Sequence, residues 1–334
     1  MMFSSSTATR RAAVVTSLLL ATATTSACGA ASEGGAGSDG GPSYPERAIQ
    51  VVVPYPAGSG IDTTTRALVD LVNDSGDLSQ DLQVVNRDGG GGSVGTTEIL
   101  NATPDGYTIG VVPDGPLTLV PQIQEVAYDP TALTAINEII TFPIMFVVPK
   151  SSPYEDLQDL VEAAEKAPGT ITIGEGPLNY AVPADQFEQE TGAKLKHVDF
   201  EGDQATTTAL LGENLDVGVM QLASALPQLG SGDIRALGVT AADRVDLIPD
   251  VPTFSEQGID IVWEAFNTVI GPEGLPEEVT DVLEKAVADA VSSDEFAETA
   301  KTLGLIVSNA GPEEAVKHLE DKTAASAPIL GAAG

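Results

Sequence analysis

Short apolar segments alternate with amphipathic segments from residue 44 onward. Eight of the apolar runs predict β-strands, namely residues 49–54, 82–86, 107–112, 143–149, 170–174, 215–220, 234–240 and 263–271. Several runs are continuously apolar, which is typical of strands covered on both faces. Helical spacing appears between them, at Leu157, Leu160, Val161 and Ala164, and again at Val279, Val282, Leu283 and Ala286. This alternation predicts an α/β fold of right-handed βαβ units with mainly parallel sheets flanked by helices.

Two long extended segments that end in prolines, residues 142–153 and 262–276, divide the chain. A protein of two lobes joined by a double hinge needs two such crossings. We therefore expect one lobe to comprise residues 44–145 and 267–334, and the other to comprise residues 146–266. A length of 334 residues is sufficient for two lobes of this size.

The N-terminus has the features of an export signal. Arg10 and Arg11 precede a short apolar run at residues 12–21, which is too short to span a membrane. We therefore interpret residues 1–27 as a signal peptide. Cys28, the only cysteine, is followed by a Gly/Ser-rich stretch, so the segment resembles a lipoprotein signal with lipid on Cys28 and a flexible tether at residues 28–43. The alternative is an ordinary signal peptide that contains a cysteine.

The charge of the chain excludes one class of partner. Asp and Glu number 49 against 15 Lys and Arg, so the net charge is −34. Nucleic-acid binding requires basic surface, which this composition does not provide. The acids are spread along the chain and no D-x-[DN]-x-[DN]-G calcium loop is present. The sequence therefore predicts a solvated acidic surface and no metal ligands.

The loop "PYPAGSGID", residues 54–62 (the first loop), joins the first strand to a predicted helix. A helix start leaves several backbone N–H groups without partners and carries partial positive charge. Gly58 and Gly60 have no Cβ, so the backbone can come close to a bound group. The first loop is therefore a candidate receptor for an anion such as a carboxylate, although a merely tight turn fits these residues equally well. We expect Asp62 to cap the helix, or otherwise to meet a donor of the ligand.

Two other glycine-containing turns are candidate binding elements. Gly90-x-Gly92-x-x-Gly95, with Asp114 about 20 residues further on, is a formal dinucleotide fingerprint. It would suit an exported dinucleotide-dependent enzyme, but four consecutive glycines make the match easy by chance. Gly174-x-Gly176 follows the fifth predicted strand and gives a second amide-rich turn that could face the first loop across a cleft; a plain turn is the alternative.

Catalytic chemistry has little support in the sequence. His197 and His318 lie far apart and have no metal-ligand spacing, and no G-x-S-x-G motif is present. We expect His197 to be packed or to cap a helix, His318 to lie on the surface, and Trp263 to belong to the core. The sequence therefore predicts no catalytic residue and no cofactor.

Several stretches together carry a family resemblance. They are "YPERAIQVVVPYPAGSGIDTTTR", "VVNRDGGGGSVGTTEILNATPDGYT", "FVVPKSSPYEDLQDLVEAAEKAPGTITIG" and "IRALGVTAADRVDLIPDVPTFSEQG". The chain resembles the solute-binding proteins of tripartite tricarboxylate transporters, the Bug family. This resemblance implies a type II periplasmic-binding-protein fold with a ligand cleft at the double hinge. It also implies capture of a small carboxylate outside the cytoplasm and delivery to membrane permease subunits; service to a sensory receptor is the alternative.

The resemblance also implies a set of ligand-binding residues. In the first loop and in the family's second loop, which falls on residues 173–183, they are Tyr55, Ala57, Gly58, Ser59, Gly60, Asp62, Gly174, Gly176, Asn179 and Tyr180. The second loop departs from the family pattern: Glu175 is introduced and Pro183 stands near the position expected for His. Glu201 likewise replaces a Lys. A carboxylate at Glu175 would repel the far end of a dicarboxylate unless it points away from the ligand.

Overall fold

The computed structural model describes residues 44–176, 178–200 and 202–330. The predicted signal peptide, the tether, Cys28 and Glu201 lie outside the described residues. The described residues belong to one compact unit.

Ten strands in the described ranges form the sheet. They are β1 (Ile49–Val53), β2 (Leu82–Asn86), β3 (Thr108–Pro113), β4 (Leu133–Pro149), β5 (Thr172–Glu175), β6 (Lys196–Asp199), β7 (Val217–Gln221), β8 (Ile234–Val239), β9 (Glu264–Pro272) and β10 (Ile306–Ala310). All eight predicted strands are present. The sequence missed β6, β10 and the first half of β4.

Eleven α-helices cover the sheet in the described part of the chain. They are α1 (Gly60–Ser75), α2 (Ser93–Leu100), α3 (Asp114–Thr118), α4 (Val120–Ile123), α5 (Leu157–Lys166), α6 (Leu178–Thr191), α7 (Asp203–Leu211), α8 (Leu222–Ser231), α9 (Glu277–Val291), α10 (Asp294–Thr302) and α11 (Pro312–Leu330). The two helices predicted from spacing correspond to α5 and α9. No helix among the described residues is long and apolar enough to cross a membrane.

The sheet has the strand order β2-β1-β3-β9-β4-β7-β5-β6, with β8 and β10 also paired to β4. Strands β1, β2 and β3 are parallel to one another, as are β5, β6 and β7. Strand β4 is antiparallel to every strand that it pairs with, and β9 is antiparallel to β3. The sheet is therefore mixed, with two parallel βαβ groups joined by β4.

The apolar core follows the same division. Ile136 and Ile140, in the first half of β4, pack with β1 and α9, whereas Phe146, in its second half, packs with Phe187 of α6. Helix α11 contributes to both sides, because Leu319 packs near β1 and β3 while Ile329 packs with the α6 cluster. The chain thus passes between the two strand groups a third time, which the sequence did not indicate. The predicted lobe boundaries stay a prediction.

Candidate functional site

The candidate site lies where parallel strands end. The first loop follows β1, the glycine turn at residues 89–92 follows β2, and Asp114 follows β3. These three strands are adjacent and parallel, so their carboxyl ends meet at one edge of the sheet. Ligands of open α/β sheets bind at this edge.

Asp62 holds the first loop in place through hydrogen bonds. Its Oδ2 accepts hydrogen bonds from the Gly58 amide at 2.8 Å and from Arg66 Nε at 3.0 Å, and its Oδ1 accepts from Asn86 Nδ2 at 2.8 Å. Burial alone would raise the pKa of Asp62, but these three donors outweigh it and hold the pKa below its usual value. The expected helix-capping role is wrong, because the amide that Asp62 accepts lies before the helix and the N-cap position belongs to Ser59.

The braced loop leaves main-chain donors exposed. The Gly58 amide is used by Asp62 and the Ser59 amide donates to the Pro56 carbonyl at 3.2 Å. The amides of Ala57, Gly60 and Ile61 have no acceptor among the described residues. Ala57, Gly58 and Gly60 are exposed, so the first loop offers an anion several donors at the positive end of α1.

Tyr55 forms one wall beside the first loop. Its hydroxyl donates to the Gly91 carbonyl at 3.2 Å, and its main-chain carbonyl accepts from Asn86 Nδ2 at 3.1 Å. Burial, followed by the charge of Asp114, raises the pKa of Tyr55 to about 12, so the phenol is neutral at pH 7. Tyr55 is therefore placed to contact a ligand as a neutral group.

The glycines of the formal dinucleotide fingerprint are used for packing. A Cβ on Gly95 would lie 2.7 Å from Pro54 Cα, and one on Gly92 would lie 2.7 Å from Pro116 Cγ. Asp114, the acidic residue of this fingerprint, is completely buried and is paired with Lys322. These contacts explain the glycines without a dinucleotide.

Asp114 and Lys322 form a buried ion pair next to the first loop. Lys322 Nζ contacts Asp114 Oδ2, and its side chain is only 5% exposed. The same ammonium lies 4.1 Å from the centre of the Trp263 ring and donates to the Glu264 carbonyl. Burial lowers the pKa of Lys322, although the carboxylate of Asp114 opposes this shift. Trp263 is 3% exposed, so its predicted place in the core is confirmed.

The second loop differs from the expectation at its glycines. Gly174 lies inside β5 rather than in the turn, and a Cβ there would meet Leu215 at 2.4 Å. Close packing within the sheet explains why residue 174 is a glycine, so the structure gives no support for Gly174 as a ligand contact. Gly176 follows the strand, and its Cβ position is 3.1 Å from the ring of Tyr180.

Glu175 is turned toward a histidine. Its Oε1 lies 2.8 Å from Nδ1 of His197, which is in β6. The hydrogen bond that His197 donates to Glu175 raises the pKa of His197 to about 9, so the imidazole is protonated at pH 7 and compensates the carboxylate. The repulsion that the sequence predicted from Glu175 is reduced by this pairing.

Asn179 and Tyr180 begin α6, and both side chains have protein partners. Asn179 Nδ2 donates to Asp114 Oδ1 at 3.1 Å, and the Tyr180 hydroxyl lies 3.5 Å from Asp203 Oδ2. The charge of Asp114 also acts on the pKa values of both Tyr55 and Tyr180. The structure therefore brings the first loop and the start of α6 together around Asp114. Sequence reasoning missed the central role of Lys322, for which the only signal was a basic residue in an acidic helix.

The described residues contain no metal cluster, and their cavities of about 660, 460 and 450 Å³ lie away from the expected ligand residues. No group of three or more His, Cys, Asp or Glu side chains in these ranges is arranged to hold a metal ion. A cavity of about 660 Å³ lies elsewhere, next to Thr141, Arg244, Glu264 and Lys301, and contains none of the ten expected ligand residues.

Known proteins share this architecture. A TctC solute-binding protein from Polaromonas superimposes with a TM-score of 0.78 and 25% identity, over 86% of this chain and 99% of that chain. An R. palustris protein solved with adipate gives a TM-score of 0.72 and 25% identity, over 84% of this chain and 95% of the other. A UPF0065 protein from the tcbD–tcbE intergenic region of Pseudomonas sp. strain P51 is 27% identical over 283 residues, which are 81% of this chain and 82% of the relative.

Fold and site together define a solute-binding protein of the periplasmic type rather than an enzyme. The sequence profile described as "Tripartite tricarboxylate transporter family receptor" matches residues 67–334. The chain belongs to this family. The resemblance seen in the sequence is confirmed, and the dinucleotide-dependent alternative is set aside.

Proposed function

We propose that this protein captures a small organic acid on the first loop and delivers it to the permease of a tripartite tricarboxylate-type transporter. The observation that carries the proposal is the set of exposed amides at the start of α1, held open by the bonds of Asp62 to Gly58, Arg66 and Asn86. A carboxylate matches these donors in charge and in hydrogen-bonding capacity. The R. palustris neighbour with adipate supports the same class of ligand.

The ligand would be enclosed by closure of two lobes. Residues 44–145 and 267–334 form one lobe in this proposal, and residues 146–266 form the other. Tyr55, Ala57, Gly58, Ser59 and Gly60 contact the acid from the first lobe, with Asp62 as their support. Gly176, Asn179 and Tyr180 approach from the second lobe. Hinge closure around a ligand is the usual behaviour of periplasmic binding proteins.

Residues 1–43 would place the protein at the membrane surface. After removal of residues 1–27, lipid on Cys28 anchors the chain and residues 28–43 act as a tether. A single lipid-modified N-terminus keeps the binding unit next to the permease subunits. Mass spectrometry of the membrane fraction tests this part, and an unmodified Cys28 thiol would contradict it.

Isothermal titration calorimetry of the secreted chain, beginning at residue 28 with Cys28→Ser, tests ligand capture. The panel comprises mono-, di- and tricarboxylates of two to six carbons, and their amides serve as uncharged controls. We expect at least one acid to bind with micromolar or better affinity while its amide does not. A folded protein that binds none of these acids would contradict the proposal.

A further inference from the structure

One hydrogen bond joins the two strand groups beside the candidate site. Asn179, in the first turn of α6, donates from Nδ2 to Asp114 Oδ1 at 3.1 Å. The carbonyl of Asn179 also accepts a hydrogen bond from Trp263 Nε1 at 2.9 Å. The start of α6 is therefore fixed by its side chain to the end of β3 and by its main chain to the segment before β9.

The acceptor of that bond is held in place by a buried lysine. Lys322 Nζ pairs with Asp114 Oδ2, so the two carboxylate oxygens face Lys322 and Asn179 respectively. Lys322 also contacts the Trp263 ring and the Glu264 carbonyl, which belong to the segment that crosses between the strand groups. A single ammonium thus links α11, the crossing segment and Asp114.

Helix α11 is itself shared between the two sides. Leu319 packs in the core near β1 and β3, whereas Ile329 and Leu330 pack in the core with Phe187. Lys322 lies between these contacts, one turn after Leu319. Lys322 therefore lies at the place on α11 where a shift of one strand group relative to the other would change its contacts.

We propose that Asp114, held by Lys322, forms a latch with Asn179 that closes when a ligand is captured. The inference rests on the proposed function. Asp114 and Lys322 are positioning residues, because they act on the ligand only through Asn179 and the start of α6. A contact that exists in one of two conformations shifts their populations and raises the apparent affinity without touching the ligand.

An engineered disulfide tests the latch without any ligand. A Cβ on Gly115 would lie 3.6 Å from Asn179 Nδ2, so Gly115→Cys with Asn179→Cys places two thiols on opposite sides of the latch. The background is the secreted chain with Cys28→Ser, which contains no other cysteine. We expect the disulfide to form under mild oxidation, and small-angle X-ray scattering to give a smaller radius of gyration for the oxidised than for the reduced protein.

Ligand exchange is the second readout, with adipate as the first probe and any acid found by calorimetry as the next. The oxidised double variant should associate with the acid at least tenfold more slowly than the reduced protein, and dithiothreitol should restore the rate. The single variant Asn179→Ala should release the acid at least threefold faster than wild type. The double variant Asp114→Leu with Lys322→Met removes the acceptor together with its buried partner but leaves Asn179 in place, and it should release the acid faster to a similar extent. Asn214→Ala is the matched control, because Asn214 is exposed in the second strand group and its side chain donates no hydrogen bond among the described residues.

Failure of the latch and failure of the proposed function would give different results. Absence of the disulfide in a folded protein, equal radii of gyration, or equal association rates in the oxidised and reduced forms would each overturn the latch. A wild-type protein that binds no acid would remove the proposed function and with it the role in ligand capture. In that case the scattering comparison still decides whether the Asp114–Asn179 contact closes the two sides.

Discussion

The first loop and the second loop begin from the same sequence pattern but are held in different ways. In the first loop, the buried carboxylate of Asp62 accepts hydrogen bonds from neighbouring groups, and other amides of the loop face outward. At the second loop, the glycine expected in the turn is packed inside β5, Glu175 is paired with His197, and Asn179 is bonded to Asp114. A strand, a glycine turn and a helix therefore do not by themselves make an anion site; the support of the loop decides what it can bind.

The difference also separates two kinds of contact at the candidate site. The first loop supplies main-chain donors that suit a carboxylate of any small acid. The residues around the second loop make contacts with other parts of the protein. Such contacts suit a segment that changes conformation or that holds one conformation in place. Four substitutions test this contrast, in order of the expected change in the free energy of unfolding.

Lys322→Met should have the largest effect. It leaves the Asp114 carboxylate buried and unpaired, which costs about 3–5 kcal/mol of stability. Urea unfolding monitored by circular dichroism measures the loss. Lys317→Met on the same helix is the control, because the Lys317–Asp321 pair is exposed and should change stability little. Equal effects of the two substitutions would show that the buried pair is not a structural centre.

Asp62→Asn should reduce both stability and ligand binding. Gly58, Arg66 and Asn86 all donate to Asp62, so an amide NH₂ group in its place would face donors. We expect a loss of about 2 kcal/mol in the free energy of unfolding and an affinity for the bound acid at least tenfold lower. Calorimetry and urea unfolding measure the two quantities. Asp74→Asn, on the exposed side of α1, is the control, and an unchanged affinity in Asp62→Asn would refute the bracing role.

His197→Gln should remove a pH dependence of stability. The pKa of His197 is raised to about 9, so its contribution is complete below the unfolded value of about 6.5 and is lost as the pH rises to about 9. Because the imidazole is partly exposed, we expect only about 1 kcal/mol of stability to be lost between pH 6 and pH 10. Unfolding of wild type and variant at both pH values measures it. If both proteins lose the same stability, the Glu175–His197 pair does not contribute.

Gly60→Ala should change stability least and binding selectively. A Cβ at Gly60 meets no atom within 4 Å and the residue does not need a positive φ, so the free energy of unfolding should change by no more than about 0.5 kcal/mol. The added methyl group would occupy open space beside the first-loop amides and should weaken acid binding several-fold. Gly230→Ala in α8 is the matched control, since its Cβ also meets no atom. Unchanged binding in Gly60→Ala would place the ligand away from the first loop.

Much of the fold could be predicted from the sequence, and the omissions have a common cause. The eight predicted strands are covered by helices and therefore consist mostly of apolar residues. Such apolar runs are easily recognised in a sequence. Strand β6 is an edge strand with mostly exposed residues, and β10 is interrupted by Asn309 at a positive φ. The first half of β4 carries Asn137 and Glu138, which are buried polar residues that break the apolar run. Where tertiary partners satisfy polar groups, the hydrophobic pattern alone fails.

The candidate site was only partly visible in the sequence. The helix start and its glycines indicated main-chain donors, and the first loop does present them. The role of Asp62 was misread as a cap, because one of its donors, Asn86, lies 24 residues away on the neighbouring strand. His318 was expected on the surface; its side chain is 37% exposed, and its Nδ1 also lies 2.8 Å from Oε2 of the buried Glu138, a contact that the sequence did not indicate.

The sequence by itself determined the α/β class, eight of the ten strands in the described part of the chain, and the place where a loop presents its amides. These features depend on local periodicity and on the backbone of a few consecutive residues. Only the tertiary structure decided that Asp114 is buried against Lys322, that Asn179 reaches Asp114, and that α11 packs on both strand groups. Asp114 and Lys322 are separated by about two hundred residues along the chain. The energy of a buried charge depends on which partner the fold brings to it, and that partner cannot be read from local sequence.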